Sequence, residues 1–275
     1  MPQPDIELFD THCHTHEMVR KTTPVYDKWY EDGTERTPES VITAANEAGV
    51  NRMLCIGTTL ADSEQAIEFV RDREGLWASI GIHPHEAHDH LSEDAKQRFA
   101  ALAGAEKVVA IGECGLDYFY THSPKEAQIE LLKFQIELAL ERDLPLSFHV
   151  REAFDDFWPI FESYRGAAIR GVLHSYTDDL KNLEKAVKHG LFFGVNGIAT
   201  FAKNEAQLVT YRTIPQHLLL LETDAPFLTP VPFRGKICES KHVRVTAEFI
   251  ADLREENLET IAATTTANAR ALFKV

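Results

Sequence analysis

Short apolar runs alternate with amphipathic stretches along the whole chain, and this alternation constrains the fold more than any other feature. IELFD is followed by a polar, aromatic-containing stretch from about Glu17 to Thr37, then by a helix from Pro38 (SVITAANEAG). NRMLCIG precedes ADSEQAIEFVRDRE, LWASIG precedes SEDAKQRFAALAG, and KVVAIG precedes PKEAQIELLKFQIELALERD. LPLSF with REAFDDFWPIFESY, RGVL with DDLKNLEKAVKHG, LFFGV with a polar helix, and finally HLLLLE complete eight strand–helix pairs. Strands alternating with helical patterns predict parallel βαβ units, and eight of them predict closure into a (β/α)8 TIM barrel. The 275 residues fit one such barrel, so residues 1–275 are read as a single domain. The C-terminal VRVTAEFIADLREE and LETIAATTTANARALF are amphipathic and are expected to pack outside the strands.

An open doubly wound sheet shares this alternation but gathers its ligand at one switch point. Here His12 and His14, Glu113, His149, His174 and Asp224 stand just past the first, fourth, fifth, sixth and eighth apolar runs. Only a closed ring delivers them to one place, the carboxyl-end mouth where such barrels keep their active sites.

The residue types point to metal chemistry. In DTHCH, His12 and His14 are two apart, which in an extended segment turns both rings to one face. Glu113 offers two oxygens, enough to bridge two cations. His149 (SFHVRE) and His174 (VLHSYTDD) end consecutive strands. In LLLLETDAPFLTP, Asp224 suits an ion and a proton from water, while Glu222 suits an orienting role behind the ligands. Imidazole with carboxylate fits zinc, manganese or iron, and oxygen-rich sites fit magnesium. A divalent cation makes water nucleophilic near neutral pH. No Gly-rich phosphate loop, GxSxG elbow or Cys/His nucleophile pair competes with hydrolysis by this route.

Composition excludes several classes. Hydrophobic residues at 44% and charged residues at 26% suit a chain with a large core. No apolar stretch nears the roughly 18 residues of a membrane span, and MPQPDIELFD lacks signal-peptide character. A cytoplasmic protein without membrane partners is the expectation. Cys13, Cys55, Cys114 and Cys238 form no CxxC pair and read as buried free thiols. The formal net charge of −15, from 28 basic and 43 acidic residues, disfavours extended binding to duplex DNA.

FDTHCH, GIHPH, IGECGLDY, FHVREA, the LH of VLHSYTDD, LLLETDAPFLTP, RGK and TTANARALF occur in this order over nearly the whole chain. In this the sequence resembles the TatD family of metal-dependent hydrolases, within the amidohydrolase superfamily. The resemblance implies a TIM-type barrel holding up to two divalent metal ions (Mg, Mn or Zn). It places His12, His14, Glu113 and Asp224 on one metal, and Glu113, His149 and His174 on the other. Asp224 becomes the general base, with Glu113 and Glu222 as its catalytic companions. His83 and His85 of GIHPH resemble residues near the substrate, with His83 on phosphate. Arg151 is a candidate anion clamp, against a surface ion pair with Glu152 or Asp155. Tyr118, Asp117 and Arg234 are weaker rim candidates, and His88 and His90 read as solvated.

Two segments depart from the family pattern. HSYTDD puts Asp178 where a glycine is usual, and RGKICESKHV has Ser240 in place of a proline. The Glu17–Thr37 stretch is longer than usual and is expected to cover part of the mouth, with Tyr26, Trp29 and Tyr30 packing or stacking on bases. The function implied is a divalent-metal-dependent phosphodiesterase, a deoxyribonuclease acting on single-stranded DNA or short oligonucleotides as a 3′ exonuclease does. The acidic balance and Asp178 keep open a hydrolase of a small phosphoester, amide or lactone. The non-enzymatic reading is a binding barrel that retains metals as structural staples.

Overall fold

Why the eight apolar runs become strands, and what each strand then carries, follows from the computed structural model, which describes residues 6–120, 122–164 and 166–275. In chain order the elements are β1 (Leu8–Cys13), α1 (Pro24–Tyr30), α2 (Pro38–Glu47), β2 (Val50–Ile56), α3 (Leu60–Val70), β3 (Leu76–Ile80), α4 (Glu93–Leu102), β4 (Val108–Asp117) and α5 (Lys125–Arg142). They continue as β5 (Leu146–Arg151), α6 (Phe154–Ser163), β6 (Gly171–Leu173), α7 (Leu180–Lys188), β7 (Phe192–Val195), α8 (Glu205–Thr213), β8 (Leu219–Leu221), α9 (Val243–Arg254) and α10 (Leu258–Phe273). The strands lie in sequential order β1 to β8. This is the (β/α)8 barrel topology that the alternation predicts. Helix starts are set locally: Thr37, Thr59, Ser92 and Asp179 each accept a backbone N–H of the first turn of α2, α3, α4 and α7.

The chain packs as two compact units, one holding the chain up to Cys55 with Ser175–Lys274, the other Ile56–His174 with Val275. In the first unit β1 pairs in parallel with β2, Cys13 opposite Cys55, and β7 pairs with β8, Val195 opposite Leu221. Leu8, Met53, Leu54, Phe193 and Leu220 are buried there. Helix α10 is tied to the strands by Thr266, whose hydroxyl donates to the Glu7 carbonyl at 2.9 Å, and by Asn268, whose amide donates to the Gln216 and Leu219 carbonyls.

In the second unit β3, β4, β5 and β6 pair in parallel. Phe148 of β5 meets Phe157 of α6 with ring centroids 5.2 Å apart, and both are fully buried. Two buried glutamines of α5 hold loops in place of water. Gln135 bonds both the N–H and the carbonyl of Ile82, and Gln128 bonds both the N–H and the carbonyl of Asp117. Leaving such backbone groups unpaired would cost about 1–3 kcal/mol each, so α5 fixes the chain just before His83 and at Asp117.

Three strands reach further than their apolar runs. His12 lies within β1, Glu113 and Asp117 within β4, and His149 and Arg151 within β5. Parallel pairing continues through the polar residues, Gly115 opposite His149 and Asp117 opposite Arg151. The ladder satisfies the backbone groups whatever the side chain, so polarity alone does not end a strand.

The Glu17–Thr37 stretch carries the end of a 3-10 turn at Thr15–Val19 and then α1, capped by Thr23. Trp29 is fully buried and its indole N–H donates to the His14 carbonyl at 3.1 Å. Of the two roles open to it, packing is the one it takes.

Candidate active site

The first unit assembles one group of metal-ligand type from His12, His14 and Asp224, whose ligand atoms all lie within 4.8 Å of one another. Asp224 Oδ1 is 3.6 Å from His12 Nε2 and 3.3 Å from His14 Nε2. Backbone bonds fix this arrangement. The Asp224 N–H donates to the His12 carbonyl, and the His14 N–H to the Ala225 carbonyl, both at 2.8 Å. Asp224 sits at φ 64°, a left-handed conformation that Asp tolerates better than most residues. Beneath it the Thr223 N–H and hydroxyl donate to buried Asp10 at 2.9 and 2.6 Å. Burial, and next the Cys13 thiol, push the Asp10 carboxyl well above the usual range, against the opposite pull of Thr223.

Glu222, two residues before Asp224, is buried and accepts the Ser175 N–H at 2.7 Å. The Asn196 amide donates to the same oxygen at 3.4 Å. The carboxylate needs a glycine opposite, because a Cβ at Gly194 would fall 2.1 Å from its oxygen. Asp178, the departure noted in HSYTDD, and its neighbour Asp179 are engaged at the start of α7: Asp179 accepts the Asn182 N–H and Asp178 its side-chain amide.

The second unit assembles another group from His83, Glu113 and His149, again with ligand atoms within 4.8 Å. Glu113 Oε1 lies 2.7 Å from His149 Nδ1, 3.5 Å from His83 Nε2 and 3.9 Å from His174 Nε2. The other ring nitrogen of His149 meets Asp117 Oδ2 at 2.9 Å, and His85 Nε2 meets the same oxygen at 3.0 Å. Burial works against the His149 imidazolium, but the bonds to Asp117 and Glu113 outweigh it and raise the pKa to about 9. Burial pushes His83 well below its ordinary value, which keeps it in the neutral form a metal requires. Asp117 is buried; desolvation opposes its charge, yet the His149 and His85 bonds hold it below the carboxylate range. The close approach of β4 to β5 depends on Gly115, at φ 152°, where a Cβ would fall 1.8 Å from the His149 carbonyl oxygen.

Both donor sets, imidazole nitrogen with carboxylate oxygen, suit a divalent transition metal. His149 joins Glu113 on one side and Asp117 on the other, the relation by which a carboxylate behind a histidine fixes its ring and tautomer for a metal. Sequence reasoning left Asp117 at the rim. The available signal was its spacing, four residues after Glu113 in an extended segment and therefore on the same face. His83, read as a phosphate contact, stands among the ligand atoms themselves. Arg151 makes no ion pair with Glu152 or Asp155 among the described residues; its guanidinium lies 4.0 Å from the Phe119 ring centroid. The Tyr118 hydroxyl donates to Asp156 at 2.8 Å, and Arg234 lies over Phe201. All four cysteines are buried and free.

Residues 9–274 match the family model described as TatD related DNase. The chain is 37% identical over 268 residues to the uncharacterized metal-dependent hydrolase YabD of Bacillus subtilis, covering 98% of this chain and 99% of that one. It is 36% identical over 243 residues to the 3′-5′ ssDNA/RNA exonuclease TatD of Cronobacter sakazakii, covering 86% and 91%. Among solved structures, the TatD homologue YJJV of Escherichia coli K12 superposes with a TM-score of 0.85 at 27% identity over 98% of both chains. No helix among the described residues is long and apolar enough to cross a membrane. The protein is a metal-dependent hydrolase of the TatD family.

Proposed function

We propose that this hydrolase is a phosphodiesterase that shortens single-stranded DNA or short oligonucleotides from the 3′ end with the help of divalent cations. The observation that carries the reading is the pair of donor groups, each with histidines and a carboxylate within 4.8 Å. His12, His14 and Asp224 would hold one ion, and Glu113, His149 and His174, with His83 beside them, the other. The ions would supply a nucleophile from water near neutral pH and neutralise charge developing on phosphate oxygens. Asp224 would accept the proton that water loses, from a carboxylate already aimed at the two imidazoles. Glu222, buried and hydrogen-bonded, would position its neighbours without contacting substrate. Asp117 would hold His149 in the tautomer that leaves Nδ1 toward Glu113.

A second reading, hydrolysis of a small phosphoester, amide or lactone, is favoured by the net charge of −15. The two part on one experiment. Protein purified without added ions is analysed for metals, then offered labelled single strands and a panel of small esters, amides and lactones. Stepwise 3′ shortening of the strands is expected; turnover of the small panel alone would replace the nuclease reading with the second.

A further inference from the structure

Just past β4 the chain exposes two consecutive aromatic rings that no catalytic role requires. Phe119 is 49% exposed and Tyr120 42%, and among the described residues the other exposed large apolar side chains are the isolated Val19 and Val231. The two rings stand edge to face with centroids 4.7 Å apart. The Arg151 guanidinium, from the end of β5, lies 4.0 Å from one centroid and 4.9 Å from the other. The exposed His122 ring stacks on Tyr120 at 5.6 Å.

The main chain beneath these rings is anchored. The N–H groups of Phe119 and Tyr120 both donate to Asp117 Oδ1, at 3.0 and 2.9 Å. The opposite oxygen of Asp117 bonds His149, the ligand-type histidine beside Glu113. His85 bridges the two regions, bonded to Asp117 and set edge-on to Tyr120 at 5.5 Å. One buried carboxylate therefore fixes both the donor group and the aromatic pair.

We infer that the half-exposed Phe119 ring, backed by Arg151 on one face and flanked edge-on by Tyr120, forms a stacking platform for a nucleobase of a single-stranded nucleic acid. The inference rests on the nuclease reading for its substrate class, and it adds a recognition site to it. An unpaired base presents a flat π-face, which half-open rings accept irrespective of sequence. The guanidinium carries positive charge to the same spot, in a chain whose net charge is −15, so it favours a strand that brings phosphate with the base. A ring on an anchored main chain, already in contact with Arg151 and Tyr120, has less conformational freedom to lose on binding. Double-stranded DNA keeps its bases stacked inside and offers this platform nothing but its end.

The test uses metal-free full-length protein, kept so with chelator, and short single strands carrying the fluorescent base 2-aminopurine at successive positions from the 3′ end. Quenching confined to one or two positions is expected on binding. The double variant Phe119→Ala/Tyr120→Ala should weaken binding by about 5- to 150-fold, the range for losing one stacked base, and abolish the quenching. Phe119→Trp/Tyr120→Phe should restore both. Should the double variant melt early, Phe119→Ala alone carries the measurement. Wild-type protein that binds without quenching, binds no strand at all, or binds an abasic strand equally well would overturn the platform. Variants that bind and quench like wild type would do the same. Positioned quenching with no cleavage once manganese is restored would sink the nuclease reading and leave the platform standing.

Discussion

The two donor groups are built by different means. In the first unit, His12, His14 and Asp224 are held mainly by main chain: two 2.8 Å backbone bonds join the segment after β8 to β1, and buried Asp10 anchors Thr223 beneath. In the second unit, side chains hold side chains. Glu113, His149, Asp117 and His85 form a continuous hydrogen-bonded series in which the carboxylates keep a proton on His149 to about pH 9. The contrast shows two ways to prepare a metal site before a metal arrives. One fixes ligand positions through the backbone and sets its carboxylate between two imidazoles. The other joins its ligand-type histidine to two carboxylates through side-chain hydrogen bonds.

The largest effect that tests this contrast is on turnover. Asp224→Asn keeps the shape and the backbone bonds of the first group but removes its one carboxylate. Hydrolysis should fall by about 100- to 10,000-fold, the contribution of a positioned proton acceptor, with the melting temperature nearly unchanged. Turnover surviving within a few-fold of wild type would remove Asp224 from the chemistry.

Metal affinity separates the groups next. Asp117→Asn should weaken metal binding about 10- to 100-fold, as loss of a partner behind a ligating histidine does. Thr223→Val, which disturbs the support of the first group, should instead cost about 1–3 kcal/mol in urea unfolding and leave metal affinity within a few-fold. Titration calorimetry and unfolding on both variants decide it. Equal losses of affinity would mean that the two groups are built alike.

The smallest effect is on pH dependence of the metal-free fold. His242, in the first unit, is depressed from 6.5 to about 4, by burial first and by Lys241 next. Its contribution to stability is present above pH 6.5 and is lost as pH falls toward 4. His149 has the opposite sign: raised from 6.5 to about 9, it contributes fully below 6.5 and loses that contribution as pH rises through 9. In chelator, His242→Asn should flatten the acid limb of the stability profile and His149→Asn the alkaline limb. Loss of the same limb in both variants would contradict the assigned directions.

Much of this was legible in the sequence. The periodicity switch marks every strand and the helices from α2 onward but not α1, which lies in the polar Glu17–Thr37 stretch; the spacing of His12 and His14 places both beside one acid because side chains alternate along an extended segment. Glu113, His149 and His174 also come together as their positions after consecutive apolar runs imply. Asp117 was harder to read. Its identity says only that it is acidic; that it is buried, and serves two histidines and two main-chain donors, comes from the β4–β5 register and from Gln128 of α5. GIHPH marks His83 only as a neighbour of the substrate; its place among the ligand atoms depends on the Ile82 backbone being clamped by Gln135. The exposure of Phe119 and Tyr120 could not be foretold either, because an aromatic pair after an apolar strand reads equally well as core.

Gly115 gives the second group an unusual vulnerability. A methyl group there cannot be absorbed by a neighbouring side chain, because it would meet the carbonyl of His149. Relief would have to come from parting the two strands that carry Glu113 and His149. An alanine far too small to reach any ion would then register as poorer retention of zinc or manganese, a defect ordinarily credited to a lost ligand.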